Sequence, residues 1–319
     1  MTNIQIDKLL QGNRRALAKA ITLSESKLDH HREQAQQLLE QVLPHTGNSI
    51  RVGITGIPGV GKSTFIEAFG LHLIKQGHKV AVLAVDPSSP ITGGSILGDK
   101  TRMEVLSQQD NAFIRPSPSG GALGGVAQKT RETMLLCEAA GYDVILVETV
   151  GVGQSEYEVA GMVDFFLVLM LPNAGDELQG IKKGILELAD AIAVNKADGD
   201  NKTMALQTKR HYENALHILQ HAHFWNPKVT LCSALEGGNI TEIWQMIEEY
   251  KEKSLEAGYF EKNRLGQNQK WMWRLVHELI ERRLKQDTQA KQICDKMQSM
   301  VNQGQTTPYI AAHRIVESL

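Results

Sequence analysis

Short apolar runs alternate with amphipathic stretches through the middle of the chain. The apolar runs lie at 52–55, 80–85, 112–115, 144–148, 165–171, 191–195 and 229–232. Between most of them apolar residues recur at helical spacing, at 62–76, 124–139, 178–188, 203–220 and 240–253. Continuous apolar strands joined by crossover helices predict an α/β fold with a mostly parallel sheet covered by helices on both faces. Ahead of this pattern, residues 1–45 read as two helices. The first carries Ile4, Leu9, Leu10, Ala16, Leu17, Ala20 and Ile21; Ser24-Glu25-Ser26 ends it, and a polar helix runs on to about Val42. Pro44 and Gly47-Asn48 then mark a boundary. After about residue 254 the strands stop, and 259–319 read as helices. There Trp271, Trp273, Leu275, Val276, Leu279, Ile280 and Leu284 form an apolar stripe. The expected organisation is an N-terminal helical extension over 1–47, an α/β domain over 48–256 and a C-terminal helical arm over 257–319.

The first strand runs straight into Gly56-Ile57-Pro58-Gly59-Val60-Gly61-Lys62-Ser63-Thr64, and a helix follows. This is G-x-x-x-x-G-K-[ST] in the strand–loop–helix setting it requires. Glycines let backbone N–H groups turn inward around phosphate oxygens, and the helix start adds partial positive charge at the same point. Lys62 is expected to reach the β- and γ-phosphates, and the Ser63 hydroxyl to ligate Mg²⁺. The fold is therefore expected to be a P-loop NTPase with helical additions at both ends.

Bulk properties narrow the setting. With 319 residues, 42% hydrophobic content and a net charge of −2, the chain reads as an ordinary globular protein without a nucleic-acid footprint. Cys137, Cys232 and Cys294 are far apart and form no C-x-x-C pair, which points to a reducing compartment. No apolar run is long enough to span a membrane, and MTNIQIDKLL has no hydrophobic signal core. A cytoplasmic location is expected, with no membrane partner.

Further motifs select the nucleotide. Asn195-Lys196-Ala197-Asp198 ends an apolar run and fits N-K-x-D. A carboxylate at Asp198 can accept from both N1–H and the 2-amino group of guanine. Adenine lacks that amino group and offers a lone pair at N1, so the carboxylate would go unpaired. Asn195 would bond the base and its neighbours, and the Lys196 stem would cover the ring. Ser233-Ala234-Leu235, after another strand, fits a loop whose backbone faces the guanine carbonyl. GTP and GDP are the expected ligands.

Glu148-Thr149-Val150-Gly151 ends a strand where small signalling GTPases carry D-x-x-G. Glu148 is placed to hold Mg²⁺ directly or through water, and Gly151 to turn its N–H to the γ-phosphate. Val152 stands where the water-positioning glutamine of those GTPases would follow, which predicts slow hydrolysis by the chain alone. Asp86 and Asp99 flank a long loop of glycine and serine and are further candidates for the metal or its waters. Either could instead cap a helix. Lys62, Glu148 and Asp99 are the candidate catalytic residues, and Ser63, Asp86, Asp99 and Glu148 the candidate metal ligands. A further candidate switch is PNAGDELQGIKK at 172–183.

Taken together, the chain resembles the methylmalonyl-CoA mutase-associated GTPases, the MeaB/ArgK group of the SIMIBI-class metal-chaperone GTPases. The resemblance rests on GNRRALAKAITLSES at 12–26, GIPGVGKST at 56–64, DPSSP at 86–90, GDKTRM at 98–103, ETVGVGQSE at 148–156, PNAGDELQGIKKG at 172–184, NKAD at 195–198 and SAL at 233–235. It implies a GTPase that binds a cobalamin-dependent methylmalonyl-CoA mutase and gates its cofactor loading, protection or reactivation. It also implies that Asp86, Asp99 and Glu148 are metal-site or switch acids, and that Asp176, Gln179 and Lys182 belong to a third switch. A homodimer joined by the C-terminal helices is implied too. Family members have also been described as kinases, and a phosphotransferase is the alternative. Unlike the metal-carrying relatives, this sequence has no cysteine-rich motif and no histidine tract.

Overall fold

The computed structural model describes residues 5–26, 28–85, 103–116, 123–149, 155–172, 183–218 and 224–318. Seven parallel strands form one sheet: β1 (Ile50–Gly56), β2 (Val80–Val85), β3 (Ala112–Arg115), β4 (Val144–Thr149), β5 (Phe165–Met170), β6 (Ala191–Val194) and β7 (Lys228–Leu231). Their spatial order is β3-β2-β4-β1-β5-β6-β7. The strand that carries the glycine loop is thus central, between β4 and β5, with Ile54 opposite Glu148 on one side and Leu167 on the other. The carboxyl ends of β1, β4, β5 and β6 lie together at one edge, where ligands of such sheets bind.

Strand residues divide by parity between two cores, because successive side chains point to opposite faces. Ile50, Val52, Ile54, Val144, Leu146, Phe165 and Leu167 face one core. Helices α4 (Lys62–Lys75), α5 (Glu104–Ser107) and α10 (Ile240–Glu256) cover it, through residues such as Phe65, Phe69, Leu106, Ile243 and Ile247. Ala81, Leu83, Ile145, Val147, Phe166 and Val168 face the other. That face is covered by α6 (Leu123–Ala139), α7 (Ser155–Ala160), α8 (Lys183–Leu188) and α9 (Lys202–Ile218). At Gly53 a Cβ would lie 2.7 Å from Phe166 and 3.0 Å from Val159 and Val163, so only glycine lets α7 approach β1 this closely.

The N-terminal residues form three helices, α1 (Ile6–Leu10), α2 (Arg14–Glu25) and α3 (Asp29–Val42), where the apolar spacing suggested two. Gly12 adopts a left-handed φ of 78°, and the Asn13 side chain accepts from the N–H groups of Arg15 and Ala16, starting α2 afresh. Leu9, Leu17, Ile21, Leu38 and Val42 join the same core as α6. Beneath this layer, buried Glu138 of α6 accepts from Arg51 Nε at 2.9 Å and Nη2 at 3.0 Å, from Gly47 N at 3.0 Å and from the Ser49 hydroxyl. These bonds hold its carboxyl below the usual range against burial, which acts to raise it.

The chain divides into two compact units, Met1–Asn263 and Arg264–Leu319. Beyond α11 (Tyr259–Gln286), the second unit contains α12 (Thr288–Asn302) and α13 (Pro308–Val316). Asp287 caps α12 by accepting from Gln289 and Ala290, and Thr307 caps α13 ahead of Pro308. No helix among the described residues is long and apolar enough to cross a membrane. Cys137 and Cys232 are buried and Cys294 half-buried, all as free thiols.

Candidate nucleotide site

The glycine loop leaves the end of β1 and closes at the first turn of α4. Gly56 lies against β5: a Cβ there would meet the Leu169 carbonyl at 2.6 Å. Val60, fully buried, pins the loop to the core. Gly61, at φ 92°, is the N-cap of α4 and turns the chain into the helix. Ile57 and Ser63 are half-buried, and Pro58, Gly59 and Thr64 exposed. Lys62 folds back over the loop, donating from Nζ to Gly56 O at 2.7 Å and to Ile57 O at 3.5 Å.

Two carboxylates act on Lys62. Burial pulls its ammonium below the ordinary lysine value, and the charges of Glu148 and Glu156 oppose that pull. Glu148, at the end of β4, is 5% exposed, and Glu156, in the first turn of α7, is wholly buried. The sequence pointed to Glu148 but not to Glu156, whose only signal was its place inside ETVGVGQSE. A second feature missed there is Thr149, whose hydroxyl donates to Thr55 Oγ1 at 2.7 Å. Both threonines are buried, and the bond ties the last residue of β4 to the strand beneath the glycine loop.

The motifs expected to read the base converge on the same loop. Asn195 is 1% exposed and serves three segments. Its Nδ2 donates to Val60 O at 2.8 Å, and its Oδ1 accepts from Ala234 N at 3.0 Å and from Cys232 Sγ at 3.5 Å. Lys196 takes a left-handed φ of 59° and donates from Nζ to Gly59 O at 2.8 Å, which lays its stem across the loop. The Ser233 hydroxyl donates to Asp198 Oδ2 at 2.5 Å and accepts from Glu236 N at 3.1 Å. Ser233 also pairs with Gly238, closing the loop that displays Leu235, which is 82% exposed. Burial pushes the Cys232 thiol up to about 12, so it stays protonated beside Asn195.

Of the residues singled out from sequence, Gly56 to Thr64, Glu148, Asn195, Lys196, Asp198, Ser233, Ala234 and Leu235 share this carboxyl edge. Asp86, Asp99, Gly151, Asp176, Gln179 and Lys182 lie outside the described residues, as does Val152. The described arrangement offers a glycine loop with one lysine, two carboxylates whose charges act on it, and, beside the loop, the Asp198 carboxylate backed by the Ser233 hydroxyl.

Comparison with known proteins agrees with this geometry. Residues 17–289 match the family described as "Methylmalonyl Co-A mutase-associated GTPase MeaB". The "GTPase ArgK" of Escherichia coli is 54% identical over 276 residues, 86% of this chain and 83% of the relative. A probable GTPase of Mycobacterium tuberculosis is 52% identical over 96% of this chain and 91% of its own. The mouse "Methylmalonic aciduria type A homolog, mitochondrial" is 46% identical over 97% of this chain and 77% of its own. Among solved structures, one titled "Crystal structure of LAO/AO transport system kinase" aligns over 98% of this chain and 95% of its own, with 43% identity and a TM-score of 0.78.

Proposed function

The chain belongs to the methylmalonyl-CoA mutase-associated GTPase family, and from that membership we propose that it hydrolyses GTP to chaperone a cobalamin-dependent methylmalonyl-CoA mutase. Its action on the mutase would be cofactor loading, protection or reactivation. GTP hydrolysis itself follows from the family. The mutase as partner is supported by the family's description and by the mouse relative's name. The observation that carries the nucleotide half is Asn195, which bonds the glycine loop to the Ser233–Leu235 loop and makes phosphate and base recognition one connected unit.

In this reading Lys62 exchanges its bonds to Gly56 and Ile57 for β- and γ-phosphate oxygens. Asp198 accepts from the guanine N1–H and 2-amino groups, while Lys196 and Leu235 cover the ring. Ser63 and Glu148 are oxygen donors at the phosphate end and suit Mg²⁺, with Asp86 and Asp99 as the other expected ligands. When bound, that ion would neutralise charge on the phosphates. The protein would act as a homodimer in the cytoplasm.

The test is steady-state phosphate release from GTP, with and without cobalamin-loaded methylmalonyl-CoA mutase. The expected outcome is slow turnover by the chain alone and a rise of about tenfold or more with the mutase, short of the roughly 10³–10⁵-fold that a supplied arginine finger gives. An unchanged rate, together with no co-elution of the two proteins in GTP or GDP, would remove the mutase as partner. The phosphotransferase reading would gain if label from the γ-phosphate appeared on a protein instead of as free phosphate.

A further inference from the structure

Gly184 stands inside α8, where alanine would favour the helix and glycine weakens it. Its φ is not in the left-handed region, so backbone freedom does not explain the glycine. Space does: a Cβ at 184 would lie 1.9 Å from the Tyr157 hydroxyl oxygen and 3.2 Å from Cζ. Tyr157 belongs to α7 and follows Glu156 directly. Successive residues of a helix point about 100° apart. One turn of α7 therefore buries Glu156, whose charge acts on Lys62, and sends the Tyr157 ring, 48% exposed, onto α8. On its other sides α7 touches β1 and β4, the strands that deliver the glycine loop and Glu148. The rotation of this short helix decides where Glu156 lies, and the Tyr157 ring on Gly184 packs α7 on one side while Val159 packs it on β1 on another.

The geometry points to Tyr157 as a positioning residue for GTP hydrolysis. Seated on Gly184, it sets how α7 sits and with it the place of the buried Glu156 carboxylate, whose charge acts on Lys62. The inference rests on the GTPase reading and not on the identity of the partner. Gly184 directly follows the candidate switch at 172–183 in the chain, and Tyr157 precedes it.

Four proteins test it: wild type, Gly184→Ala, Tyr157→Phe and the double variant. Their kcat and KM for GTP, affinity for a non-hydrolysable GTP analogue and melting temperature are compared. Gly184→Ala is expected to lose about tenfold in kcat while binding the analogue within about threefold of wild type, the pattern of a lost transition-state interaction. The double variant lacks the clashing oxygen, and its nearest ring atom lies 3.2 Å from the new Cβ. It is expected to return to the rate of Tyr157→Phe. A Gly184→Ala protein with wild-type kcat would overturn the role. So would a kcat loss that persists in the double variant, or one matched by a fall in melting temperature and in analogue affinity. A wild type that binds the analogue without turning GTP over would overturn the hydrolase assignment first, and the positioning role with it.

Discussion

At the scale of single residues, the site is built from side chains that bond each other as well as presenting groups to a ligand. Asn195 spends its amide on Val60 and its carbonyl oxygen on Ala234, so it acts as a brace between two loops. Thr149 and Thr55 do the same for two strand ends. Thr149→Val keeps the shape but leaves the buried Thr55 hydroxyl without that donor. It should lower the unfolding free energy by about 1–2 kcal/mol and reduce kcat more than GTP affinity; chemical denaturation and steady-state kinetics check both. Motif residues were legible because their chemistry demands fixed types at fixed spacing, as in Gly56 to Ser63 and Asn195 to Asp198. Glu156 was not, because nothing in one sequence tells a buried acid from an acid on a helix surface. Asp86, Asp99, Gly151, Asp176, Gln179 and Lys182 remain expectations carried by motif alone.

At the scale of elements, periodicity gave the strands almost residue for residue, as at Val80–Val85 and Ala112–Arg115. These strands are buried on both faces, so their apolar runs are unbroken and easily found. The N-terminal helices were harder. Gly12 and Asn13 end one helix and cap the next, but the apolar spacing runs on through them and masks the break. Close packing between elements was also invisible in the sequence. Gly53 lies inside the apolar run at 52–55, and nothing in that run shows that it is the point where Phe166, Val159 and Val163 press against β1. Gly53→Ala should therefore destabilise the protein by about 1–3 kcal/mol through overpacking, despite the better strand propensity of alanine over glycine. Thermal unfolding would show it as a lowered midpoint, and an unchanged midpoint would mean that the helix α7 shifts freely.

At the scale of the whole molecule, a parallel sheet with helices on both faces was legible, but its strand order was not, since order depends on contacts far apart in sequence. That order places β1 between β4 and β5 and gathers the glycine loop, the Glu148 strand end and the loops proposed to read the base at one edge. The C-terminal helices leave Met272, Trp273 and Leu279 more than half exposed, an apolar set that fits the proposed homodimer. Light scattering should give about twice the 35.3 kDa chain mass, and a monomer at micromolar concentration would oppose it. The central claim is that this edge works as one guanine-selective hydrolytic site. Its most direct test is hydrolysis of GTP, ATP and xanthosine triphosphate by the wild type and by Asp198→Asn. An asparagine amide can donate to the 2-oxygen of xanthine but no longer accepts from both guanine donors. Wild type is expected to prefer GTP over ATP by about 100-fold or more, and the variant to lose GTP turnover and gain it with xanthosine triphosphate. Equal use of GTP and ATP by the wild type, or an Asp198→Asn protein that still selects GTP, would contradict it.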